Sequence, residues 1–216
     1  MIVVYCTGTA TEVGKTYVGA AVLSSLRRRG CRVSARKPAQ SYDPGQTGPT
    51  DADVLAAATG EHPDDVCVPG RSYGVAMAPP MAAEVLDRPP VTVGGLLDEL
   101  RWPDPPPTLG WVEGVGGPRS PVAADGDGVD LCQALDPSLV LLVADAGLGT
   151  INAVRLSAEP FRAIGRYPTV FLNRYDEHEE LHRRNAEWLG GRDGLTVVTE
   201  PEAVAYALGA MVFSSK

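Results

Sequence analysis

Residues Gly8-Thr9-Ala10-Thr11-Glu12-Val13-Gly14-Lys15-Thr16 constrain this chain more than any other stretch. An apolar run, Met1 to Cys6, leads in, and a helical pattern from Val18 to Arg29 leads out. Strand, glycine loop, lysine, hydroxyl residue and helix is the context a phosphate-binding loop requires. The backbone N–H groups of such a loop point inward at an anion, and the helix N-terminus adds the positive end of its dipole. In that arrangement Lys15 reaches the outer phosphates and the Thr16 hydroxyl holds Mg²⁺. The spacing departs from the commonest form. Five residues separate Gly8 from Gly14 where four are usual, and Thr9 stands where the first glycine is expected.

Composition narrows the setting for that loop. A chain of 216 residues with 44% hydrophobic and 21% charged residues is expected to form one domain, residues 1–216, around a sizeable core. The formal net charge is −8, and the longest basic run, Arg27-Arg28-Arg29, sits where a helix end favours cations. A nucleic-acid role is therefore not expected. No apolar run reaches a membrane span, and the first residues enter a strand rather than a signal peptide. Cys6, Cys31, Cys67 and Cys132 are too scattered for a disulfide framework or a zinc site, so a reduced, cytoplasmic protein is expected.

The rest of the chain alternates strand and helix. Cys31 to Lys37 predicts a second strand stopped by Pro38, and residues 38–50 predict a polar loop. Thr50 or Asp51 caps a helix closed by Gly60, and residues 61–78 read as irregular. Helices are predicted from Pro79 to Leu86 and from Val93 to Leu100, before a proline-rich linker at 103–107. A short strand from Leu109 runs into Glu113-Gly114-Val115-Gly116-Gly117-Pro118, and 129–135 reads as a helix. Leu139 to Ala144 is the most apolar strand and hence a sheet centre, with a helix following over 151–164. A strand at 167–172, a charged helix from Glu177 to Leu189, a strand at 195–198 and a helix at 202–211 complete the pattern. This alternation predicts an α/β fold, a doubly wound and mostly parallel sheet with helices on both faces.

In a parallel sheet the segments that follow the strands all lie along one edge, where ligands bind. Glu113 ends a buried strand before a glycine-rich turn, so it either joins Thr16 at Mg²⁺ or accepts N–H bonds from that turn. Asp51 and Asp53 are further carboxylates, each also a plain helix-start residue. Lys37 ends strand two beside the phosphate site, so it either supplies a second cation for phosphoryl transfer or is a solvated strand-end charge. Gln40 and Ser41 bond a substrate or close a turn, and Asn173 reads a base edge or forms a turn. His178 and His182 belong to a solvated helix face, and His62 has no metal partner at helical spacing.

Together these residues resemble the dethiobiotin synthetases. The resemblance rests on the loop 8–16, on Lys37-Pro38-Ala39-Gln40-Ser41, on Asp51, on Glu113 to Gly117, and on Gly147-Leu148-Gly149-Thr150-Ile151-Asn152. It implies a P-loop NTPase-like, homodimeric ligase that depends on ATP and Mg²⁺. That enzyme would act on 7,8-diaminopelargonic acid and CO₂ through a carbamate and a carbamic-phosphoric anhydride. By resemblance, Thr16, Asp51 and Glu113 hold Mg²⁺, and Lys37 and Lys15 are the catalytic cations. Thr11, Lys37 and Ser41 contact the diamine, and Gly149, Thr150, Ile151 and Asn152 receive its carboxylate tail across the dimer. The nucleotide would meet Glu12, Val13, Gly14, Lys15, Thr16, Tyr17, Glu113, Gly116, Asn173, Thr199, Glu200 and Pro201. Two departures stand out: Ala153 follows Asn152 where the family often has His, and Val198 to Pro201 replaces a Gly-Glu-Ile-Pro-like stretch. The second leaves the base preference between ATP and CTP open.

Three rival readings are distinct. Cobyrinic or cobyric acid amide synthases have a similar nucleotide domain but carry an additional glutaminase domain, for which 216 residues leave no room. A P-loop switch controlling a partner fits poorly with Ala10, where some partitioning ATPases carry a second lysine. An inactive synthetase-like protein would explain the drift at Ala153 and Val198 to Pro201.

Overall fold

A computed structural model describes residues 1–45 and 47–214. The chain runs through β1 (Ile2–Gly8), α1 (Lys15–Arg28), β2 (Val33–Arg36), β3 (Gln40–Ser41), α2 (Asp51–Thr59) and α3 (Pro63–Val66). It continues through β4 (Ser72–Tyr73), α4 (Pro79–Val85), α5 (Val93–Glu99), β5 (Leu109–Glu113), β6 (Pro121–Ala123), β7 (Gly126–Asp127) and α6 (Gly128–Leu135). β8 (Leu139–Asp145), α7 (Thr150–Ala163), β9 (Thr169–Asn173), α8 (Glu180–Glu187), β10 (Val197–Val198) and α9 (Pro201–Ser214) complete it.

Six strands form one parallel sheet in the order β10-β9-β8-β1-β5-β2. The apolar β8 lies at its centre beside β1, as a strand covered on both faces should. Val4, Cys6, Ala35, Trp111 and Leu141 face a core shared with α1, α2 and α9. Tyr5, Val112 and Val140 face the opposite side, against α5, α6 and Phe161 of α7. α1 shows why the sequence takes this form. Val18, Val22 and Leu26 recur at fourfold spacing and are wholly buried, each contributing about 1.5–3 kcal/mol by leaving water. Arg27 and Arg28 occupy the last turn. Gly30 then adopts φ 81°, and Cys31 N–H closes on the Leu26 carbonyl at 3.1 Å.

The strict alternation expected from sequence is interrupted in three places. Residues 61–78 are not irregular throughout. Pro63 opens α3, capped by the His62 side chain; a 3₁₀ turn at Pro69–Arg71 follows, and β4 pairs in parallel with β3. β6 and β7 form a small antiparallel hairpin. Such two- or three-residue strands are too short to show a period. The charged helix begins at Glu180 rather than Glu177, because Asp176 Oδ1 accepts from His178 N–H and Asp176 N–H donates to His182 Nδ1, and it ends in a π turn at Trp188–Arg192.

Candidate functional site

The sheet order brings the C-terminal ends of β1, β5 and β2 side by side. Register does the rest: Cys6 of β1 stands opposite Glu113 of β5, and Val112 opposite Arg36 of β2. Lys37, the next residue past β2, therefore arrives beside Glu113. Its Nζ lies 2.7 Å from Glu113 Oε1, 2.7 Å from Asp51 Oδ2 and 3.1 Å from the Gly114 carbonyl. The Thr16 oxygen, one residue into α1, is 2.8 Å from both Asp51 Oδ1 and Glu113 Oε1. Residues 16, 37, 51 and 113 thus form one cluster. Asp53 does not join it. Its carboxylate accepts from Thr50 N–H while Thr50 accepts from Asp53 N–H, a capping box. Nor does Glu113 take N–H bonds from the glycine turn that follows it; Lys37 and Thr16 are its partners.

The phosphate loop is held by its carbonyls. Val13 O accepts from Asn173 Nδ2 at 2.9 Å, Glu12 O from Arg174 at 3.1 Å, and Ala10 O from Lys15 Nζ at 3.2 Å. The N–H groups of Thr11 to Tyr17 have no protein partner among the described residues, the condition of an anion cradle. Gly14 must be glycine. Its φ is 95°, and a Cβ there would stand 2.0 Å from Asn173 Nδ2. Asn173 is therefore a clamp on the loop, in place of the turn former weighed from sequence.

Charge in the cluster follows from burial and pairing. Burial works against the Lys37 charge, but Glu113 and Asp51 more than offset it and hold the ammonium above the ordinary lysine range. Burial likewise raises the Asp51 carboxyl, yet Lys37 and Thr16 outweigh it and the net shift is downward. Lys15 has no such partner at hydrogen-bond distance. Burial, and then repulsion from Lys37, lower its pKa. Burial raises the Cys6 thiol well above its ordinary value and pushes Cys67 up to about 12, so neither is a nucleophile. All four cysteines are buried and unpaired.

A cleft of about 570 Å³ opens over the cluster. Of the residues expected from sequence, Thr11, Glu12, Gly14, Lys15, Thr16, Lys37, Gln40, Ser41, Asp51 and Gly116 line it. Val13 and Glu113 lie buried beneath. Tyr17 is 66% exposed on α1. Asn173 ends β9, and Thr199, Glu200 and Pro201 follow β10 into α9; all four lie outside the cleft lining. Gly149, Thr150, Ile151 and Asn152 open α7 and also lie outside it. Sequence reasoning did not place Ala76, Met77, Ala78, Pro79, Ser120 and Pro121, which also line the cleft. The signal available was Pro79-Pro80, which places a helix start after a short strand.

The donor set fits a magnesium ion. Two carboxylates and a hydroxyl are hard oxygen ligands of the kind that ion takes beside phosphates and water. Glu113 Oε2 is buried without any partner among the described residues. Thr16 has one hydroxyl proton for two carboxylate oxygens, each at 2.8 Å. One of those contacts therefore joins two acceptors, with Lys37 the cation beside both carboxylates. Among the described residues no group of three His, Cys, Asp or Glu side chains is placed to hold a metal ion.

A parallel sheet of this order, with a glycine loop opening α1 at the central strand, defines a P-loop NTPase-like protein. A Borrelia burgdorferi B31 protein assigned to plasmid partition, solved with AMPPNP, shares the fold. Its TM-score is 0.55 at 12% identity, over 99% of this chain and 98% of that one. Residues 3–180 match the family described as an AAA domain. The chain is 40% identical over 179 residues to the ATP-dependent dethiobiotin synthetase of Anaeromyxobacter sp. (strain Fw109-5), which covers 82% of this chain and 78% of that one. It is 36% identical to the Haloferax mediterranei synthetase, over 90% and 81% of the two chains. For the Rhodococcus jostii (strain RHA1) synthetase the identity is 34%, over 100% and 92%. The chain belongs to the ATP-dependent dethiobiotin synthetases, a family of ligases. Among the described residues no helix is long and apolar enough to cross a membrane.

Proposed function

We propose that the protein closes the ureido ring of dethiobiotin from 7,8-diaminopelargonic acid, CO₂ and ATP, releasing ADP and phosphate. One observation carries the reading: Thr16, Lys37, Asp51 and Glu113, far apart in sequence, meet beside the phosphate loop in a chain of this family. In the proposed reaction an amine nitrogen attacks CO₂ and loses a proton, giving a carbamate. A carbamate oxygen then takes the γ-phosphoryl group, and ADP leaves. The second amine attacks the carbamoyl carbon and expels phosphate as the ring closes.

The residues divide this work by charge. Lys15 and the free N–H groups of the loop hold the β- and γ-phosphates. Lys37, kept cationic by its carboxylate neighbours, faces charge that develops on carbamate and phosphoryl oxygens. Thr11 and Ser41 line the substrate side of the cleft. Ser41 Oγ is buried without a partner among the described residues, so it has a free bond to offer. Thr16, Asp51 and Glu113 would hold Mg²⁺, which neutralises phosphate charge when bound. A carboxylate tail would be received at Gly149 to Asn152, at the N-terminus of α7, from a second subunit of a homodimer. Asn173, with Thr199 to Pro201, would border the base.

The test is a phosphate-release assay with ATP, Mg²⁺ and bicarbonate, with and without diaminopelargonate. Release that depends on the diamine is expected. Release without it points to a nucleotide switch, and no turnover with any diamine sinks the synthetase reading. Replacing ATP by CTP in the same assay settles the base preference.

A further inference from the structure

We infer that Gln40, itself oriented by Ser72, is a positioning residue that sets the Asp51 carboxylate toward Lys37 and the proposed metal site. The inference rests on the proposed role of Asp51. Gln40 is 5% exposed, at the start of β3. Its Oε1 accepts from Ala52 N–H at 3.0 Å, and its Nε2 donates to Ser72 Oγ at 2.9 Å. Ala52 N–H belongs to the residue after Asp51, in the first turn of α2, where no intrahelical partner exists. Thr50 already satisfies the next free donor, Asp53 N–H. The Gln40 bond therefore fixes the α2 N-terminus laterally, at the residue whose neighbour reaches Thr16 and Lys37.

Ser72 makes the arrangement directional. Ala52 N–H can face only an acceptor, so Gln40 must present its oxygen there and its amide nitrogen toward Ser72. Ser72 is held on β4, paired in register with Gln40 itself across the β3–β4 ladder. Three chain segments thus meet in one hydrogen-bond chain: residue 40, three positions past Lys37; residues 51–52; and residue 72. Gln40 lines the cleft beside Asp51, but its Oε1 and Nε2 are engaged by Ala52 and Ser72, so its role is to position Asp51 and it is not itself a catalytic residue.

Glutamate at 40 keeps the chain. One carboxylate oxygen accepts from Ala52 N–H, and the Ser72 hydroxyl turns to donate to the other. Leucine fills the space and makes neither bond. The experiment measures the Mg²⁺ dependence of binding of a fluorescent ATP analogue to the full chain, alongside folding by circular dichroism. Gln40→Leu is expected to raise the half-saturating Mg²⁺ by about tenfold, within the range of coupled neighbours. Asp51→Asn should raise it at least as much, and Gln40→Leu/Asp51→Asn no further than Asp51→Asn alone. Gln40→Glu should stay within about threefold of the parent. Ser72→Ala, a milder change outside the helix, should shift the Mg²⁺ requirement in the direction of Gln40→Leu and keeps the test open if that variant does not fold.

Additive effects in the double variant, or a silent Ser72→Ala together with an unshifted or unfolded Gln40→Leu, would overturn the positioning role while leaving Asp51 in place. A normal Mg²⁺ requirement in Asp51→Asn would overturn both the positioning role and the proposed metal role of Asp51.

Discussion

Lys37 Nζ lies 2.7 Å from Glu113 Oε1, and the two side chains are 2% and 0% exposed. Removing one partner of a buried pair leaves the other charge unpaired, at a cost of about 3–5 kcal/mol. Lys37→Met is therefore expected to lower stability by about 3–5 kcal/mol in denaturant unfolding, apart from any effect on turnover. Adding Glu113→Gln should restore much of it, because the uncompensated carboxylate is gone. An unfolding midpoint that Lys37→Met leaves unchanged would contradict the pairing. Loss of activity in a Lys37 variant thus needs a stability measurement beside it.

Asp51 and Asp53 separate in the same way. Asp53 closes the capping box with Thr50, whereas Asp51 faces Thr16 and Lys37. Asp53→Ala should cost about 1 kcal/mol of stability, the usual value of a helix cap, and leave the Mg²⁺ dependence of nucleotide binding alone. A changed Mg²⁺ dependence would show that the cap also shapes the site.

Gly14 and Asn173 meet across the loop. Gly14→Ala combines a left-handed backbone, worth about 1–2 kcal/mol, with a Cβ 2.0 Å from Asn173 Nδ2. Nucleotide affinity should fall about tenfold or more, the equivalent of roughly 1.4 kcal/mol. Asn173→Ala alone should cost about 1 kcal/mol of stability by freeing the Val13 carbonyl. In that background the steric part of Gly14→Ala disappears, so the double variant should bind better than the two single effects summed. Simple additivity in a nucleotide titration would show that the two residues do not meet.

The sheet and most helices were legible because apolar runs and glycine or proline punctuation set them locally. Gly30 and Gly60 both stop helices in the left-handed conformation. The residues of the cleft floor were legible too, since loop 8–16, Lys37, Asp51 and Glu113 each end or begin an element. Their pairings were not. Lys37 and Glu113 are 76 positions apart, and only the β5–β2 register brings them together. The choice between Asp51 and Asp53 depended on which side chain the cap consumed. Gln40 and Ser72 sit on two-residue strands whose pairing carries no periodic signal. Pro79-Pro80 marks the helix start beside the cleft, but that Met77 to Pro79 line it shows only once those strands are placed.

Lys15 gives the last prediction. Burial and the nearby Lys37 lower its pKa below the ordinary value of 10.5. Between the folded and unfolded pKa values the unfolded chain binds more protons, so this residue's contribution to stability rises with pH in that alkaline window. Phosphate reverses the sign for binding. An anion beside the ammonium favours the charged form and raises the pKa again. Nucleotide binding should therefore take up a proton as pH approaches the free protein's Lys15 pKa, and affinity should fall as pH climbs through it. Calorimetric titration in two buffers of different ionisation enthalpy reads that uptake directly. It should grow toward alkaline pH and vanish in Lys15→Arg, whose guanidinium does not titrate there. Uptake that persists undiminished in Lys15→Arg would assign the proton to another group.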